Sequence, residues 1–117
     1  MSDEDTRRHL RRRHLVYYLR VFDQSSNELV GHLVDITTEG VKLVRETSVE
    51  TGGQFQLRMQ LPARLEGSYE VRFAAECLWC RPDENPSFYV AGFRITGAEQ
   101  RDLDLITELV NEFGFNE

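Results

Sequence analysis

The run Gln54-Phe55-Gln56-Leu57-Arg58-Met59-Gln60-Leu61 alternates polar and apolar side chains without a break. Successive side chains of an extended chain point to opposite faces. A period of two therefore specifies a strand with one buried and one wetted face, and excludes a helix here. Such a strand needs neighbours, and the sequence supplies them. Tyr69, Val71, Phe73, Ala75, Cys77 and Trp79 alternate with mostly smaller or charged residues, and Tyr89, Ala91, Phe93 and Ile95 repeat the pattern. Between these runs lie residues 81–87, whose prolines and Asp/Asn chemistry interrupt a ladder and turn the chain, so the two runs read as an antiparallel hairpin.

Upstream, Leu15 to Phe22 and Leu29 to Ile36 are rich in Val, Leu, Ile, Tyr and Phe and flank the polar stretch Asp23 to Glu28, which is again strand, turn, strand. Their alternation is less regular, so their faces are not assigned. Val41 to Val44 add a short strand after Gly40. Six strands with short connections leave too many unpaired edges unless the sheet closes on itself, which predicts an all-β, six-stranded antiparallel β-barrel. The period then changes. Leu103, Ile106, Val110 and Phe113, widened by Leu105 and Leu109, form the apolar stripe of a C-terminal α-helix over about residues 98–113. Thr96 and Glu99 have capping-box spacing, Gly114 is placed to end the helix in a left-handed cap, and Asp102 and Asp104 are assigned to its polar side. The stripe is expected to cover an open end of the barrel, although it would also serve a dimer, so oligomeric state stays open. The organisation expected is a basic arm over residues 1–14 and one barrel domain over 15–114.

A chain of 117 residues suits a single core, burying about two thirds of its unfolded surface. No apolar run approaches the roughly 18 residues of a membrane span, and no apolar segment follows the charged N-terminus as in an export signal. The expectation is a cytoplasmic protein without a membrane partner. Charge is unevenly spread: Asp3, Glu4 and Asp5 oppose six Arg in residues 1–20, giving +3, so the net −6 leaves −9 for the rest. Residues 7–14, RRHLRRRH, hold five of those arginines. A body at −9 repels phosphate polymers, whereas a local cationic arm can grip one compact anion.

Catalytic and metal chemistry find little purchase. Cys77 and Cys80 form CLWC, but zinc needs two more ligands, and His9, His14 and His32 lack paired spacing. On a regular strand an offset of three puts the two cysteines on opposite faces, so reduced packing thiols are expected. No His or Cys has a catalytic companion, no Gly-rich phosphate loop is present, and Asp83-Glu84 reads as a solvated pair. Neither enzyme nor metal site is expected.

Two stretches remain. The arm contains Arg-x-x-x-Arg twice, as Arg7 with Arg11 and as Arg8 with Arg12. The second stretch is Asp35-Ile36-Thr37-Thr38-Glu39-Gly40, in which Asp35 and Thr37 share one face at a strand end while Ile36 points to the core. Gly40 stands where the chain turns into the next strand, and lacking a Cβ it permits a positive φ or close approach of a ligand. Arginine-rich termini are commonly solvated tails, and D-x-T-x-x-G describes many turns. In this order, separated by one hairpin and followed by a barrel pattern, the two resemble the signature of the PilZ domain, R-x-x-x-R followed some twenty residues later by [D/N]-x-S-x-x-G. Residues 74–95, AAECLWCRPDENPSFYVAGFRI, are similar to the family's later hairpin, in which a strand ending near Trp leads into a Y-x-x-G-F-type strand.

The resemblance covers about residues 7–113 and implies a PilZ-like barrel of the split-barrel type with a C-terminal helix, the architecture already read from the strand count. Many members are receptors for the bacterial second messenger cyclic di-GMP. Carried over residue by residue, the ligand-binding positions are Arg8, Arg12, Asp35, Thr37 and Gly40, with Arg7 and Arg11 as the competing register and Arg13 beside them. Thr37 departs from the usual Ser; it keeps the hydroxyl and adds a methyl that crowds a guanine. The residue types suit such a ligand. A guanidinium forks onto phosphate oxygens or onto guanine O6 and N7 and stacks flat on a base, while a carboxylate accepts from the guanine N1–H and N2–H edge. Mutual repulsion of the arginines, relieved by a dianion, implies a disorder-to-order step of the arm that signals to an unidentified downstream protein partner. Motility, exopolysaccharide and biofilm control are the family's associations. Two rival readings stand beside this one. One is a degenerate PilZ adaptor that binds protein without nucleotide. The other is a small barrel gripping single-stranded nucleic acid through Tyr17, Tyr18 and Phe22, against which the −9 body argues and whose aromatics are expected in the core.

Overall fold

The unbroken alternation of residues 54–60 forms β4 (Gln54–Gln60), in which Leu57 and Met59 are fully buried between exposed glutamines. The structure is a computed structural model that describes residues 19–61 and 70–113, the last two as backbone only. Around β4 stand β1 (Arg20–Asp23), β2 (Leu29–Ile36), β3 (Gly40–Arg45), β5 (Glu70–Pro82) and β6 (Tyr89–Gly97), followed by helix α1 (Gln100–Phe113). The strands close into a barrel in the order β1-β2-β3-β6-β5-β4, with every neighbouring pair antiparallel. Closure removes the edges that an open six-stranded sheet would expose. The family-like architecture expected from the sequence, a six-stranded antiparallel barrel with a C-terminal helix, is therefore the observed one.

Val21, Leu33, Leu43, Leu57, Val71, Cys77 and Ala91 point inward with no exposed surface, so every strand sends a completely buried side chain into one core, and β6 adds Phe93. Burying each large aliphatic contributes about 1.5–3 kcal/mol, which makes the barrel interior the dominant source of stability. Helix α1 extends that core. Leu105, Ile106 and Leu109 are buried, and the fourth member of their face is Asp102, at 3% exposure. Its carboxylate accepts the backbone N–H of Arg72 on β5 at 3.0 Å and a guanidinium N–H of Arg101 at 3.1 Å. Asp102 thus ties the first turn of α1 to β5 and does not lie on the polar side of the helix, where Asp104 remains exposed. No helix among the described residues is long and apolar enough to cross a membrane.

Two other local expectations give way. Thr96 belongs to β6, whose ladder runs to Gly97 opposite Ala74, so it cannot cap α1; the Glu99 carbonyl accepts from Asp102 and Leu103 N–H at 2.9 and 3.0 Å instead. Strand pairing has overridden a cap worth only about 1 kcal/mol. The β5–β6 ladder also continues past Trp79 to Pro82 opposite Tyr89, which shortens the turn to residues 83–88. The arm, Leu15 to Tyr18 and the Gly114 cap lie outside the described residues.

Candidate functional site

The turn from β2 to β3 is built by its own side chains. Thr37 Oγ1 accepts the N–H groups of Glu39 and Gly40 at 3.1 and 3.2 Å, and the Thr37 N–H donates to the Gly40 carbonyl at 2.9 Å. Asp35 Oδ1 accepts the N–H of Ile36 at 2.9 Å, which turns its carboxylate outward, while Ile36 itself is 1% exposed in the core. The Thr37 hydroxyl therefore accepts twice from the backbone and keeps its own hydrogen to donate. Gly40 has no left-handed φ; among the described residues only Asn27 and Gly52 do. What demands glycine is space, since a Cβ at Gly40 would stand 2.6 Å from the carbonyl oxygen of Phe93 on β6. The expected conformational role of Gly40 is replaced by a steric one.

Across the outer face of the barrel, register lines up one row over four strands. Asp35 on β2 is opposite Lys42 on β3, Lys42 is opposite Gly92 on β6, and Gly92 is opposite Trp79 on β5. A Cβ on Gly92 would lie 2.4 Å from Nε1 and Cε2 of Trp79, so the indole occupies the volume that any other residue would fill. The Arg81 guanidinium sits 4.6 Å from the centre of that ring. Asp35, Thr37, Gly40, Lys42, Gly92 and Trp79 line a shallow pocket of about 210 Å³. Of the residues singled out from the sequence, this brings together Asp35, Thr37 and Gly40. Arg7, Arg8, Arg11, Arg12 and Arg13 lie outside the described residues.

The charges of this row are unmatched. Among the described residues no carboxylate lies within ion-pair distance of Lys42 or Arg81, and no cation within that distance of Asp35, whereas one row away Arg94 meets Glu76 at 2.8 Å. A larger groove of about 860 Å³ runs between β4, β5 and the start of α1, but both of its cations are already engaged. There Arg72 meets Glu70 at 2.6 Å and Arg101 meets Asp102 at 3.1 Å. Volume alone would select that groove; available charge selects the smaller pocket.

The register also revises the cysteines. A bulge at Leu78 puts Cys77 opposite Phe93 and Cys80 opposite Ala91, and both partners face the core. Directly paired residues share a face, so Cys77 and Cys80 lie on the same inward side, not on opposite faces as an unbroken strand requires. Burial, with Cys80 close by, pushes the Cys77 thiol above its ordinary value and makes it a poor nucleophile. No group of three metal-ligating side chains forms among the described residues. Phe22, expected in the core, is instead half-buried on the outer wall with the Arg58 guanidinium 4.5 Å from its ring centre.

Lys42, Trp79, Arg81 and Gly92 are the residues that sequence reasoning did not single out as a site. One signal was present: a glycine inside the apolar run Tyr89-Val90-Ala91-Gly92-Phe93 marks close approach by another group.

A model of the PilZ domain matches residues 5–112. No curated protein sequence matches the chain closely enough to count as a relative. Several solved structures share its fold. The inhibitor of motility MotI/DgrA of Bacillus subtilis superposes with a TM-score of 0.68 at 16% identity, over 85% of this chain and 47% of that one. The PilZ domain of Escherichia coli YcgR, solved with c-di-GMP, gives 0.62 at 14% identity over 83% and 81%. Borreliella burgdorferi PlzA, in complex with c-di-GMP, gives 0.52 at 11% identity over 100% and 51%. The chain spans about half the length of the Bacillus protein. At these identities the likeness is one of fold.

Proposed function

The chain belongs to the PilZ domain family, and from that premise we propose that it is a receptor for cyclic di-GMP, held between the arginine arm and the Asp35–Thr37–Gly40 end of β2. The observation that carries the reading is the unpaired Asp35 carboxylate at an open pocket, beside a hydroxyl with a hydrogen to donate. A guanine offers N1–H and N2–H to a carboxylate and O6 and N7 to a guanidinium, so Asp35 and an arginine of the arm read opposite edges of one base. Arg8 with Arg12 is the preferred pair, and Arg7 with Arg11 the alternative register. Two fold neighbours, the E. coli YcgR domain and Borreliella PlzA, were solved with this nucleotide. Each charge-assisted bond contributes roughly 1.5–3 kcal/mol, so three or four reach the ~8 kcal/mol of a micromolar complex after ordering costs.

Signalling follows from charge. Five arginines in eight residues repel one another. A dianion neutralises them, folding the arm over the barrel and presenting a new surface to a downstream protein in the bacterial cytoplasm. The chain transmits and does not catalyse. The test is amide exchange of residues 7–14 with and without cyclic di-GMP, where protection on binding is expected; unchanged exchange in a saturated complex sinks the mechanism. Arg8→Ala and Arg12→Ala should each weaken binding at least about tenfold, or ~1.4 kcal/mol, with the unfolding midpoint of the free protein unmoved. Binding that survives the double change removes the arm from the site.

A second reading, an adaptor that binds protein without nucleotide, gains from one observation. Both acceptor positions of the Thr37 hydroxyl are taken by the turn, leaving one donor for a ligand. The adaptor reading requires that cyclic di-GMP give no heat on titration.

A further inference from the structure

Among the described residues two arginines are half-buried, and the fold treats them unequally. Arg58 meets Glu70, bonds Asn27 and lies over Phe22. Arg45, the last residue of β3, has one side-chain partner, the Thr47 hydroxyl, which accepts from Nη2 at 3.1 Å. Its Nε is the single buried side-chain nitrogen or oxygen without a hydrogen-bond partner among the described residues. No carboxylate of those residues lies within ion-pair distance of it. A donor shielded from water and left unbonded is costly, the more so on a charged group, and it calls for an acceptor that the fold itself does not supply.

The surroundings say which acceptor. Arg45 lines a cavity of about 290 Å³ at the end of the barrel away from the β2–β3 turn, where β2 begins and β3 ends. Leu29, Val30, Val44 and Phe88 make its walls largely apolar. Val44 is directly paired with His32 and Val90, so it faces away from the core, yet it is only 9% exposed, while Leu29 is 48% exposed. An apolar hollow with one under-bonded guanidinium suits a molecule with an apolar body and one anionic head. The Nε and Nη2 hydrogens of an arginine point the same way and form the fork that a carboxylate fills with its two oxygens. Thr47, an exposed residue, holds half of that fork, and its hydroxyl can turn to donate to the same head. His32 also lines the cavity and has no side-chain hydrogen bond among the described residues. The exposed Glu46 lines it too, and its charge works against any ligand that carries more than one negative charge. We propose that this cavity is a second ligand site that takes an apolar monocarboxylate, with the head on the Nε–Nη2 edge of Arg45 and the hydrocarbon against Leu29, Val44 and Phe88. It shares no residue with the Asp35–Thr37 pocket and stands independently of the receptor reading.

The probe is octanoate, added to the isotope-labelled full chain while backbone amide shifts are followed. Acetate supplies the head without the body, and 1-octanol the body without the head. Octanoate should move the amides of residues 29–32, 44–47 and 88 saturably, with a Kd on the order of 1 mM for so small a ligand. Both controls should bind at least about tenfold more weakly. Arg45→Met, which keeps the stem and removes the fork, should weaken octanoate binding about tenfold, whereas Asp35→Ala should leave it unchanged. Absence of saturable shifts, shifts centred on the Asp35 pocket, 1-octanol binding as tightly as octanoate, or Arg45→Met binding like the unmodified chain overturns the site. Should Arg45→Met fail to fold, the place of the shifts and the ratio of octanoate to 1-octanol affinity on the unmodified chain still decide.

Discussion

Two walls of the barrel carry similar charged side chains and treat them in opposite ways. On the wall formed by β1, β4 and the start of β5, Arg58 reaches Glu70 at 3.6 Å, bonds Asn27 and covers Phe22, and Arg72 pairs with Glu70 at 2.6 Å. On the wall formed by β2, β3, β6 and the end of β5, Asp35, Lys42 and Arg81 surround Trp79 with no ion pair among the described residues. The first wall spends its charges within the fold, while the second pairs Arg94 with Glu76 and leaves the charges of the row through Trp79 for something else. Cavity size favours the first wall and so does not single out the second. The separating property is which polar groups still have bonding capacity.

That contrast is open to attack by substitution, beginning where the cost is greatest. Gly40→Ala forces a Cβ to within 2.6 Å of the Phe93 carbonyl and should destabilise the fold by about 1–3 kcal/mol, with loss of ligand binding as the β2–β3 turn shifts. Chemical denaturation followed by calorimetry checks both effects; a stable Gly40→Ala that binds normally means the turn has slack. Asp102→Ala removes the buried acceptor of the Arg72 N–H and should cost about 1–3 kcal/mol of stability, while affinity for cyclic di-GMP stays within twofold of about its original value in the folded population. A large loss of affinity there would mean that helix and pocket are coupled.

The most pointed comparison sets Asp35→Ala against Arg72→Ala. The first should lower affinity about tenfold or more with little change in unfolding midpoint. The second, on an exposed and solvent-screened pair, should leave both the unfolding midpoint and the affinity essentially unchanged. Exchange of these two outcomes breaks the division between the walls. The smallest effect is that of pH on the β1–β2 turn. Asp23 accepts the N–H groups of Ser26 and Ser25, bonds that hold its carboxyl below the ordinary value of 3.8. Its contribution is complete above that pH and fades as pH falls through the lower folded value. An acid titration of Asp23→Asn should lack this component of the decline and otherwise follow the unmodified protein.

Much of the fold was legible because period-two patterning repeats over many residues and errors average out. β4 shows this most cleanly, with Leu57 and Met59 inward as alternation demands. The pocket was half legible. Asp35, Thr37 and Gly40 are contiguous in sequence, and one local motif brought them together. The other half depends on a bulge at Leu78, a single inserted residue with no propensity signal of its own, which exchanges the faces of everything after it. That one residue accounts both for the misassigned Cys80 and for the unrecognised Trp79. Asp102 was misread for a related reason: an acid on a helix is judged polar until the strand that donates to it is known. Gly40 was recognised as necessary for a reason the backbone does not use, because a clash with β6 is invisible until β3 and β6 are paired.

The receptor reading is tested most directly by titration calorimetry of the full chain with cyclic di-GMP, beside a single-stranded oligonucleotide of unrelated sequence. The account predicts saturable heat with the dinucleotide at a Kd on the order of 1 μM, equivalent to ~8 kcal/mol, and none with the oligonucleotide. No heat with cyclic di-GMP, or equal binding of the oligonucleotide, would contradict it.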